Sequence, residues 1–588
     1  MCQLNLIEPC EVNDGQRMGL RRLVTSHWKI ATVMAALIPM AALASLMVHY
    51  SVSAPCSEEW SETAAMKGFS RFPTISFLFS QHSEHRIVMT RLILWVTTAI
   101  SGGDLRYSLA VTFAVAMLIS IMTMILIRRT LPGDQPWQWW WLACHLLIFS
   151  PVQHQNWLWA LNVHFLLPIA CLMAGLVVIE VLPGGWRQTV LCMFLAMIAA
   201  FSHASGLIVT VLLPLAVLAH RPRESRARLA ALGVFIVALW LGYFHGWSRP
   251  TFGAADPFWC IHHPRAVAQY ILAFLGSCVS RGLGTSVSMA FGALVLAVWL
   301  TQLGYVAIHL GKEDLLRKAG PWLILGVYAI ASMGMATSGR VALGVTQAQA
   351  SRYTTTSLQL WVSAIALWPI LSATLPACRP SRLATALGRL AVVGLLISFL
   401  IAQVRSIHEI RREWFERLRG QVGLELMNYP NSDAFLRTHD ADHANLRQAA
   451  IEMNDLGRLY PPILPANRFD SITSQTSAQG IFQESIAQPN GSILVRGTAC
   501  LPSGRPADCV VITRETDATH WTVIWMIRVA VNKSEIVKAA GPGASPGCWK
   551  GIISARQIPS GNAALVAWAF DATNRTAYRL DKSHSWSQ

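Results

Sequence analysis

Three glutamates of one polar segment, 51–106, are the side chains of this sequence best suited to acid–base chemistry. Glu58 and Glu59 are adjacent, and Glu84 lies between two histidines and beside Arg86. A carboxylate that is held ionised can take a proton from a hydroxyl group. Because the segment lies between apolar stretches, where ionisable groups are costly to keep, we expect it to be functional. Glu84 is the first candidate for a general base, and Glu58 and Glu59 are the alternatives.

Arginines beside apolar stretches supply a second chemistry, the binding of phosphate. Arg352 and Tyr353 open a predicted membrane span, and Arg340 precedes them in the same loop. The planar guanidinium group matches two phosphate oxygens at once. These residues, with Arg86 as a fourth, are the candidates for binding an anionic phosphate. The alternative is ordinary anchoring of arginine and tyrosine at a membrane interface.

Polar and aromatic side chains of the predicted outer loops could recognise a sugar, because amides, imidazoles and ring faces suit hydroxyl-rich rings. They are His82, His85, His154, Asn156 and Trp157. The alternative for Trp157 is interfacial anchoring, and for Glu84 and Arg86 it is a local ion pair. Adjacent histidines such as His262 and His263 point different ways on most backbones, and no Cys/His spacing indicates a metal.

The composition is that of a membrane protein, with 53% hydrophobic and 13% charged residues. An apolar run of roughly 17 to 25 residues can cross a hydrocarbon core of ~30 Å. About eleven runs are predicted to be spans, the third and fifth being short: 28–50, 107–127, 137–151, 160–181, 189–203, 205–219, 229–245, 286–309, 321–337, 356–376 and 388–404. Together they predict a polytopic α-helical membrane domain over residues 28–405.

The net charge of +16 follows the positive-inside rule and does not indicate a nucleic-acid partner. Basic clusters precede the first predicted span, follow the second, sixth and eighth, and lie between the last two. With about eleven spans, this distribution places residues 1–27 in the cytoplasm and the C-terminal part outside. The apolar run 267–280 is short, and we expect it to form a helix that lies at the outer surface.

Beyond residue 405 the chain changes character twice. Residues 406–470 are polar and are predicted to form a helical linker. Over residues 471–588 short apolar runs alternate with a period of two and are separated by Gly and Asn turn signals, which is typical of a small β-sandwich. Cys500 and Cys509 flank one such turn and are the first candidates for a disulfide in an oxidising compartment.

The segment after Glu84 has a distinctive order. An amphipathic helix, 85–95, is followed by a break at Gly102-Gly103, a predicted span and a basic stop at Arg128-Arg129. This succession resembles the GT-C glycosyltransferases of the aminoarabinose-transferase and protein-mannosyltransferase type, and the resemblance covers about residues 28–405. Those enzymes usually carry Asp-Asp or Asp-Glu soon after the first span, where this chain has a pair of glutamates.

The resemblance implies a GT-C-like fold in the bacterial inner membrane, with a periplasmic C-terminal β-sandwich domain. It implies an inverting hexosyl- or pentosyltransferase that moves a sugar from a polyprenyl-phosphate donor to a cell-envelope glycan or lipid on the periplasmic side. The partners would then be the lipid-linked sugar, its acceptor and membrane lipids, and no cofactor is implied. One of the three glutamates would be the base, and the four phosphate candidates would bind the donor.

Three alternatives stay open. A transporter or flippase of lipid-linked sugars would be favoured by matching helix breaks in two halves of the chain, and no such symmetry is evident. An envelope glycan polymerase or ligase typically concentrates its arginines in a large late loop, whereas the long polar loop here is the first. A non-catalytic membrane scaffold could display the C-terminal domain.

Overall fold

The computed structural model describes residues 14–60, 62, 72–133, 135–220, 225–249, 259–374, 382–436, 443–517, 520–541, 546–557 and 563–586. Its helical part has these bounds: Asp14–Tyr50, Ile75–Phe79, Val88–Ser101, Arg106–Thr130, Trp137–Ile148, His154–Leu158, Val163–Val181, Trp186–Ala200, Gly206–His220, Arg226–Phe244, Trp259–His262, Pro264–Ser280, Thr285–Ile308, Glu313–Arg340, Thr354–Ser372, Arg382–Glu425, Asp433–Leu436 and His443–Asp455.

A helix lies at each of the predicted span positions. Among the described residues, 7 helices are long and apolar enough to cross a membrane: Ala31–Tyr50, Arg106–Thr130, Ala160–Val181, Arg226–Phe244, Thr285–Ile308, Glu313–Leu343 and Gly388–Glu425. The helices at the remaining positions are shorter or less apolar. One of them, Thr354–Ser372, is buried along nearly its whole length, so packing against protein relaxes its need for apolar residues. The multi-pass organisation is therefore supported, and the number of crossings stays a prediction.

The first polar segment folds as the sequence suggests. A helix, Val88–Ser101, ends at Gly102, which caps it in the left-handed conformation with a φ of 64°. The long helix Arg106–Thr130 begins a few residues later. Gly103 also has a positive φ and lies against the backbone carbonyl of Arg458, where a side chain would collide. The predicted order of helix, glycine break and long apolar helix is confirmed, and the membrane crossing of the last stays a prediction.

The run 267–280 forms a helix that packs inside the helical domain, and its position at the outer membrane surface stays a prediction. The helix Pro264–Ser280 is buried from Ala273 onward and pairs closely with Thr285–Ile308. Gly276 and Gly292 permit this approach, because a Cβ at either position would meet the backbone of the other helix. Small residues at a helix contact bring the two backbones together, and this pattern marks a packed helix pair.

The C-terminal part is one curled sheet of seven strands among the described residues, and the predicted two-sheet sandwich is wrong. The strands are β1 Thr473–Ala487, β2 Ile493–Cys500, β3 Cys509–Asp517, β4 His520–Arg528, β5 Cys548–Ile553, β6 Ala563–Asp571 and β7 Thr576–Trp586, with a helix Lys533–Ala540. Their order is β4-β3-β6-β7-β1-β2-β5, and only β1 and β7 pair in parallel. A bridge between Val529 and Trp549 brings the two end strands together. Alternation identifies strands, but it does not determine how a sheet closes.

The predicted pairing of Cys500 with Cys509 is also wrong, because both are free thiols. The two residues belong to β2 and β3, which are not neighbours in the sheet. Cys509 lies on the sheet face that packs against the helices. Closeness in sequence across a turn therefore does not bring the two sulfur atoms together.

The helix Arg382–Glu425 runs without a break through residue 405, the expected end of the membrane domain. Its last turns carry Trp414, Leu418 and Val422 into a core shared with the sheet and with Trp60 of the first loop. Arg419 anchors this contact, since its guanidinium meets both carboxylate oxygens of Glu535 at 2.8 Å. We call this end of the helical domain the sheet-facing end.

The Arg419 contact makes the docking of the sheet domain testable. Arg419→Met should weaken docking by about 3 kcal/mol, because it leaves Glu535 partly buried without its counter-charge. The measurement is the urea concentration at which protease releases the sheet domain from the purified protein. Arg447→Met is the matched control, since the ion pair of Arg447 with Asp433 is exposed and should contribute less than about 1 kcal/mol. Equal effects of the two changes would contradict a docking role for Arg419.

Candidate active site

A cavity of about 650 Å³ lies at the sheet-facing end of the helical domain. Four distant parts of the chain form most of its wall: 82–85, 159–165, 203–207 and 335–356. Glu58 lines it as well. The cavity therefore collects polar side chains that the sequence distributes over nearly three hundred residues.

Glu84 and Arg340 meet in this cavity. Arg340 Nη2 lies 2.7 Å from Glu84 Oε1, and the Glu84 side chain remains about one-third exposed, at 31%. The backbone of His82 and His85 exchanges two hydrogen bonds of 2.8 Å, which forms a tight turn with Ser83 at a positive φ. This turn presents Glu84 to the cavity, where Arg340 supplies a counter-charge to its carboxylate.

Two hydrogen bonds fix the position of the Arg352 backbone. Asn156 donates from Nδ2 to the carbonyl of Arg352 at 2.9 Å, and Gln155 Oε1 accepts from the Arg352 backbone N–H at 3.2 Å. Tyr353 stacks on Phe274 with a centroid distance of 5.6 Å. The guanidinium of Arg352 lies over the Tyr353 ring and lines the cavity. No carboxylate of the described residues lies within ion-pair distance of it, so its charge is available to an anion.

A chain of alternating charges supports the turn that carries Glu84. Arg91 binds Glu62 through Nε at 2.6 Å and Nη2 at 3.0 Å, although its side chain is buried. His82 Nδ1 lies 2.7 Å from Glu62 and His82 Nε2 lies 3.8 Å from Glu58. Burial opposes the charge on His82, but the two glutamates outweigh it and raise the pKa of His82 to about 9. His82 is therefore protonated at neutral pH and holds Glu58 beside the cavity.

The same contacts lower the pKa values of the two glutamates, Glu62 and Glu58. Burial would raise the pKa of Glu62, but hydrogen bonds from His82 and Arg91 dominate and lower it to about 2. The contact with His82 likewise lowers the pKa of Glu58. Both carboxylates are ionised at neutral pH, and each is already matched by a cation.

Three imidazoles form a column on another part of the wall. The ring of His203 lies 4.0 Å from that of His85 and 5.1 Å from that of His164, and the second pair is nearly parallel. All three rings line the cavity. Glu84 Oε1 lies 4.0 Å from His85 Nε2, so the column begins next to the candidate base.

Two predicted site residues lie outside the cavity wall. Glu59 is buried, accepts from the backbone N–H groups of Cys56 and Leu161, and lies 3.7 Å from Arg417. Arg86 donates to the backbone carbonyls of Tyr243 at 2.6 Å, His245 at 2.5 Å, and Phe79. The structure places both as tethers between loops and helices, which leaves Glu84 and Glu58 as the cavity carboxylates.

The predicted sugar ligands His154, Asn156 and Trp157 also lie behind the wall. All three are buried. His154 binds Glu413 at 3.1 Å and Ser351 at 3.1 Å, and Trp157 donates to the carbonyl of Ser150 at 2.9 Å. With Asn156 they hold the Arg352–Tyr353 segment against the helix Arg382–Glu425. Of the predicted sugar residues, only His82 and His85 reach the cavity.

The cavity wall contains residues that sequence reasoning missed. His164 and His203 complete the imidazole column, and Trp159, Asn162 and Trp247 add further polar and aromatic groups. Their location in the sequence could have identified them, because each lies at the predicted outer end of a predicted span. This is the membrane depth expected for Glu84 and Arg352. Position alone does not show which loop ends converge.

Metal ligands are not grouped in the described residues, where no set of three or more His, Cys, Asp or Glu side chains is placed to hold an ion. His263 stacks on Trp259 with a centroid distance of 4.0 Å, and its Nδ1 lies 3.0 Å from the Trp259 carbonyl. The adjacent His262 is the last residue of the short helix Trp259–His262.

No family model and no curated protein matches this sequence. A solved structure that resembles it is the archaeal oligosaccharyltransferase AglB from Archaeoglobus fulgidus in complex with an inhibitory peptide and a dolichol-phosphate. The two have 12% sequence identity and a TM-score of 0.35, over 70% of this chain and 60% of the other. This chain thus spans less than two-thirds of the AglB chain.

The raised pKa of His82 predicts a pH-dependent stability. The unfolded histidine has a pKa near 6.5 and the folded one about 9, so its contribution is fully present below pH 6.5 and is lost as pH rises through 9. The thermal midpoint of the purified protein should therefore fall between pH 7 and pH 9.5 by more than that of His82→Gln. The measurement is a pair of melting series across this range. Parallel curves for the two proteins would show that His82 is not protonated in the fold.

Proposed function

We propose that the protein is a multi-pass membrane glycosyltransferase that uses a polyprenyl-phosphate sugar as donor. It would transfer the sugar to a cell-envelope glycan or lipid on the periplasmic side of a bacterial inner membrane. One observation carries this proposal: Glu84 of the first polar segment meets Arg340 and Arg352, which share a loop more than 250 residues further along the chain, in one cavity at the end of the helical domain. A base and a phosphate site are the two requirements of the reaction.

The phosphate site would be formed by Arg352 and Arg340. The free charge of Arg352 binds a phosphate oxygen, and the buried Tyr353 fixes the position of its backbone. Guanidinium groups in a partly enclosed site stabilise negative charge far better than they do in water. This charge grows on the phosphate as the sugar leaves it, so the same contacts favour the transition state.

Glu84 would be the base. In the proposed step an acceptor hydroxyl attacks the anomeric carbon, and the bond from this carbon to the phosphate oxygen breaks. The bonding electrons leave with the polyprenyl phosphate, and Glu84 takes the hydroxyl proton. A single displacement of this kind inverts the anomeric configuration. Glu58, also at the cavity, is the alternative base.

The apolar side of the cavity suits a lipid tail. Phe244 and Met335 line the cavity and are also substantially exposed at the surface of the helical domain. Leu207 and Ala336 continue the apolar lining beside them. A polyprenyl chain could thus lie between the helices Arg226–Phe244 and Glu313–Arg340 while its phosphate reaches the arginines.

The base assignment predicts the effect of Glu84→Gln. Loss of the carboxylate should lower sugar transfer by roughly 10²- to 10⁴-fold, the usual contribution of a general base, without lowering protein abundance. The measurement is transfer from radiolabelled polyprenyl-phosphate sugars in membranes containing the protein. Glu484→Gln is the matched control, because the exposed pair of Glu484 with Arg496 lies on the sheet domain. Full activity of Glu84→Gln would refute the assignment and direct attention to Glu58.

The phosphate assignment predicts a different effect for Arg352→Lys. Lysine keeps the charge but loses the planar fork, so the KM for the donor should rise about tenfold to a hundredfold, as expected for a lost charge-assisted hydrogen bond. Steady-state kinetics with varied donor concentration measures this change. A lowered kcat with an unchanged KM would show that Arg352 does not bind the donor in the ground state.

Movement of lipid-linked sugar across vesicles without transfer would favour a flippase.

A further inference from the structure

We propose that the imidazole column of His85, His203 and His164 is the subsite for the donor sugar, and that this sugar carries no charge. This inference rests on the proposed function and makes it more specific. It excludes donors whose sugar is a cationic amino sugar or an anionic uronic acid. The observation behind it is a stack of three rings on the wall of the same cavity as Glu84.

The hydrogen bonds of the column indicate that two of its three rings, His85 and His203, are neutral. The backbone N–H of Ala204 donates to Nδ1 of His85 at 3.3 Å, and the backbone N–H of Ser205 donates to Nδ1 of His203 at 3.2 Å. A nitrogen that accepts a hydrogen bond carries no proton, so each of these two rings has its single proton on Nε2. A second proton on either ring would break the contact with the backbone.

The surroundings of the column also favour the neutral form of its rings. Burial lowers the pKa of His203 to about 3, with a further contribution from the charge of His82. Burial also lowers the pKa of His85 well below its usual value, and His203, His164, His82 and Arg340 add to this effect. Stacked imidazolium rings would repel one another. The wall therefore offers hydrogen-bonding groups without charge.

The column has capacity for a ligand. Nδ1 of His164 is buried and makes no hydrogen bond of regular geometry in the described structure, although the ring lies near the Leu161 carbonyl. His164 is only 5% exposed. Asn162 and Trp159 line the cavity near the start of the same helix. A buried polar atom without a partner is costly, and a sugar hydroxyl could satisfy it. An aromatic face beside amide and imidazole groups suits an uncharged sugar ring.

The charges of the cavity are already matched, which disfavours a charged sugar. Glu84 is paired with Arg340, and Glu58 with His82, so an ammonium group would find no unpaired carboxylate among the described residues of the lining. Arg249, another arginine of the lining, already has a partner of its own. Arg352 would be used by the donor phosphate. Burying a further charge without a counter-charge is expensive, so an uncharged sugar fits best.

The test is a panel of donors built on one polyprenyl phosphate. A neutral hexose, a neutral pentose, an amino sugar and a uronic acid are each attached to the lipid, and transfer and equilibrium binding are measured for the purified full-length protein in nanodiscs. We expect binding and transfer for a neutral sugar, and at least tenfold weaker binding for the two charged sugars. Preference for a charged sugar, or equal binding of all four, would overturn the inference and leave the proposed function standing.

A variant identifies the column as the cause of the preference. His203→Gln should raise the Kd for the preferred neutral donor about tenfold, as for one lost hydrogen bond, while the Kd for unsubstituted polyprenyl phosphate stays the same. His309→Gln, at the end of the helix Thr285–Ile308, is the control for histidine loss outside the cavity. Equal weakening of both ligands by His203→Gln would mean that the column supports the fold and does not contact the sugar. Transfer from none of the donors, with no binding of polyprenyl phosphate, would overturn the proposed function itself.

Discussion

The burial of Arg91 against Glu62 is the interaction on which the rest of the site depends. Burying the charge of an arginine that is only 2% exposed is costly without a counter-charge, and the bidentate contact with Glu62 supplies one. Arg91 also donates to the backbone carbonyls of Phe77 and Ser80 at 2.7 Å each. One buried charge thus joins the helix Val88–Ser101 to both halves of the polar loop. Since Glu62 in turn binds His82, the turn that presents Glu84 is positioned by the same contact.

A second set of buried charges connects this loop to the sheet domain. Glu59 lies near Arg417 of the helix Arg382–Glu425. Arg419, two residues further along this helix, forms an ion pair with Glu535 of the sheet domain. The helix is continuous from its apolar part to Glu425. The sheet domain therefore rests on an extension of a membrane helix and on the loop that carries Glu58. Trp60 of this loop packs directly in the core that the sheet shares with the helix Arg382–Glu425.

The cavity combines paired and unpaired charge. Glu84 and Glu58 are matched by Arg340 and His82. The guanidinium of Arg352 lines the cavity with no carboxylate of the described residues within ion-pair distance, so it stays available for an anion. Next to it lies a neutral column of histidines. Because a poorly solvated site strengthens every electrostatic contact, such a division selects strongly: an anion at one place, an uncharged polar group at the other. The proposed donor, a phosphate joined to a neutral sugar, has this division within one molecule.

Patterns within short stretches of sequence predicted the helical and strand-rich parts, and the helix, glycine break and long apolar helix after Glu84. They also singled out Glu84, Arg340 and Arg352 as candidates, and the functional role of these residues stays a prediction. Apolar run length, period-two alternation and glycine conformation are local properties, so they need no tertiary information. Only the tertiary structure decided which charges meet. Arg86 and Arg340 are equivalent by residue type, yet one binds backbone carbonyls and the other binds Glu84. Glu59 differs from Glu58 because Arg417, far along the chain, lies beside it, and His164 and His203 join the site because separate helix ends converge. The single curled sheet and the close packing of the helix Pro264–Ser280 were missed for the same physical reason, since contacts between distant residues determine both.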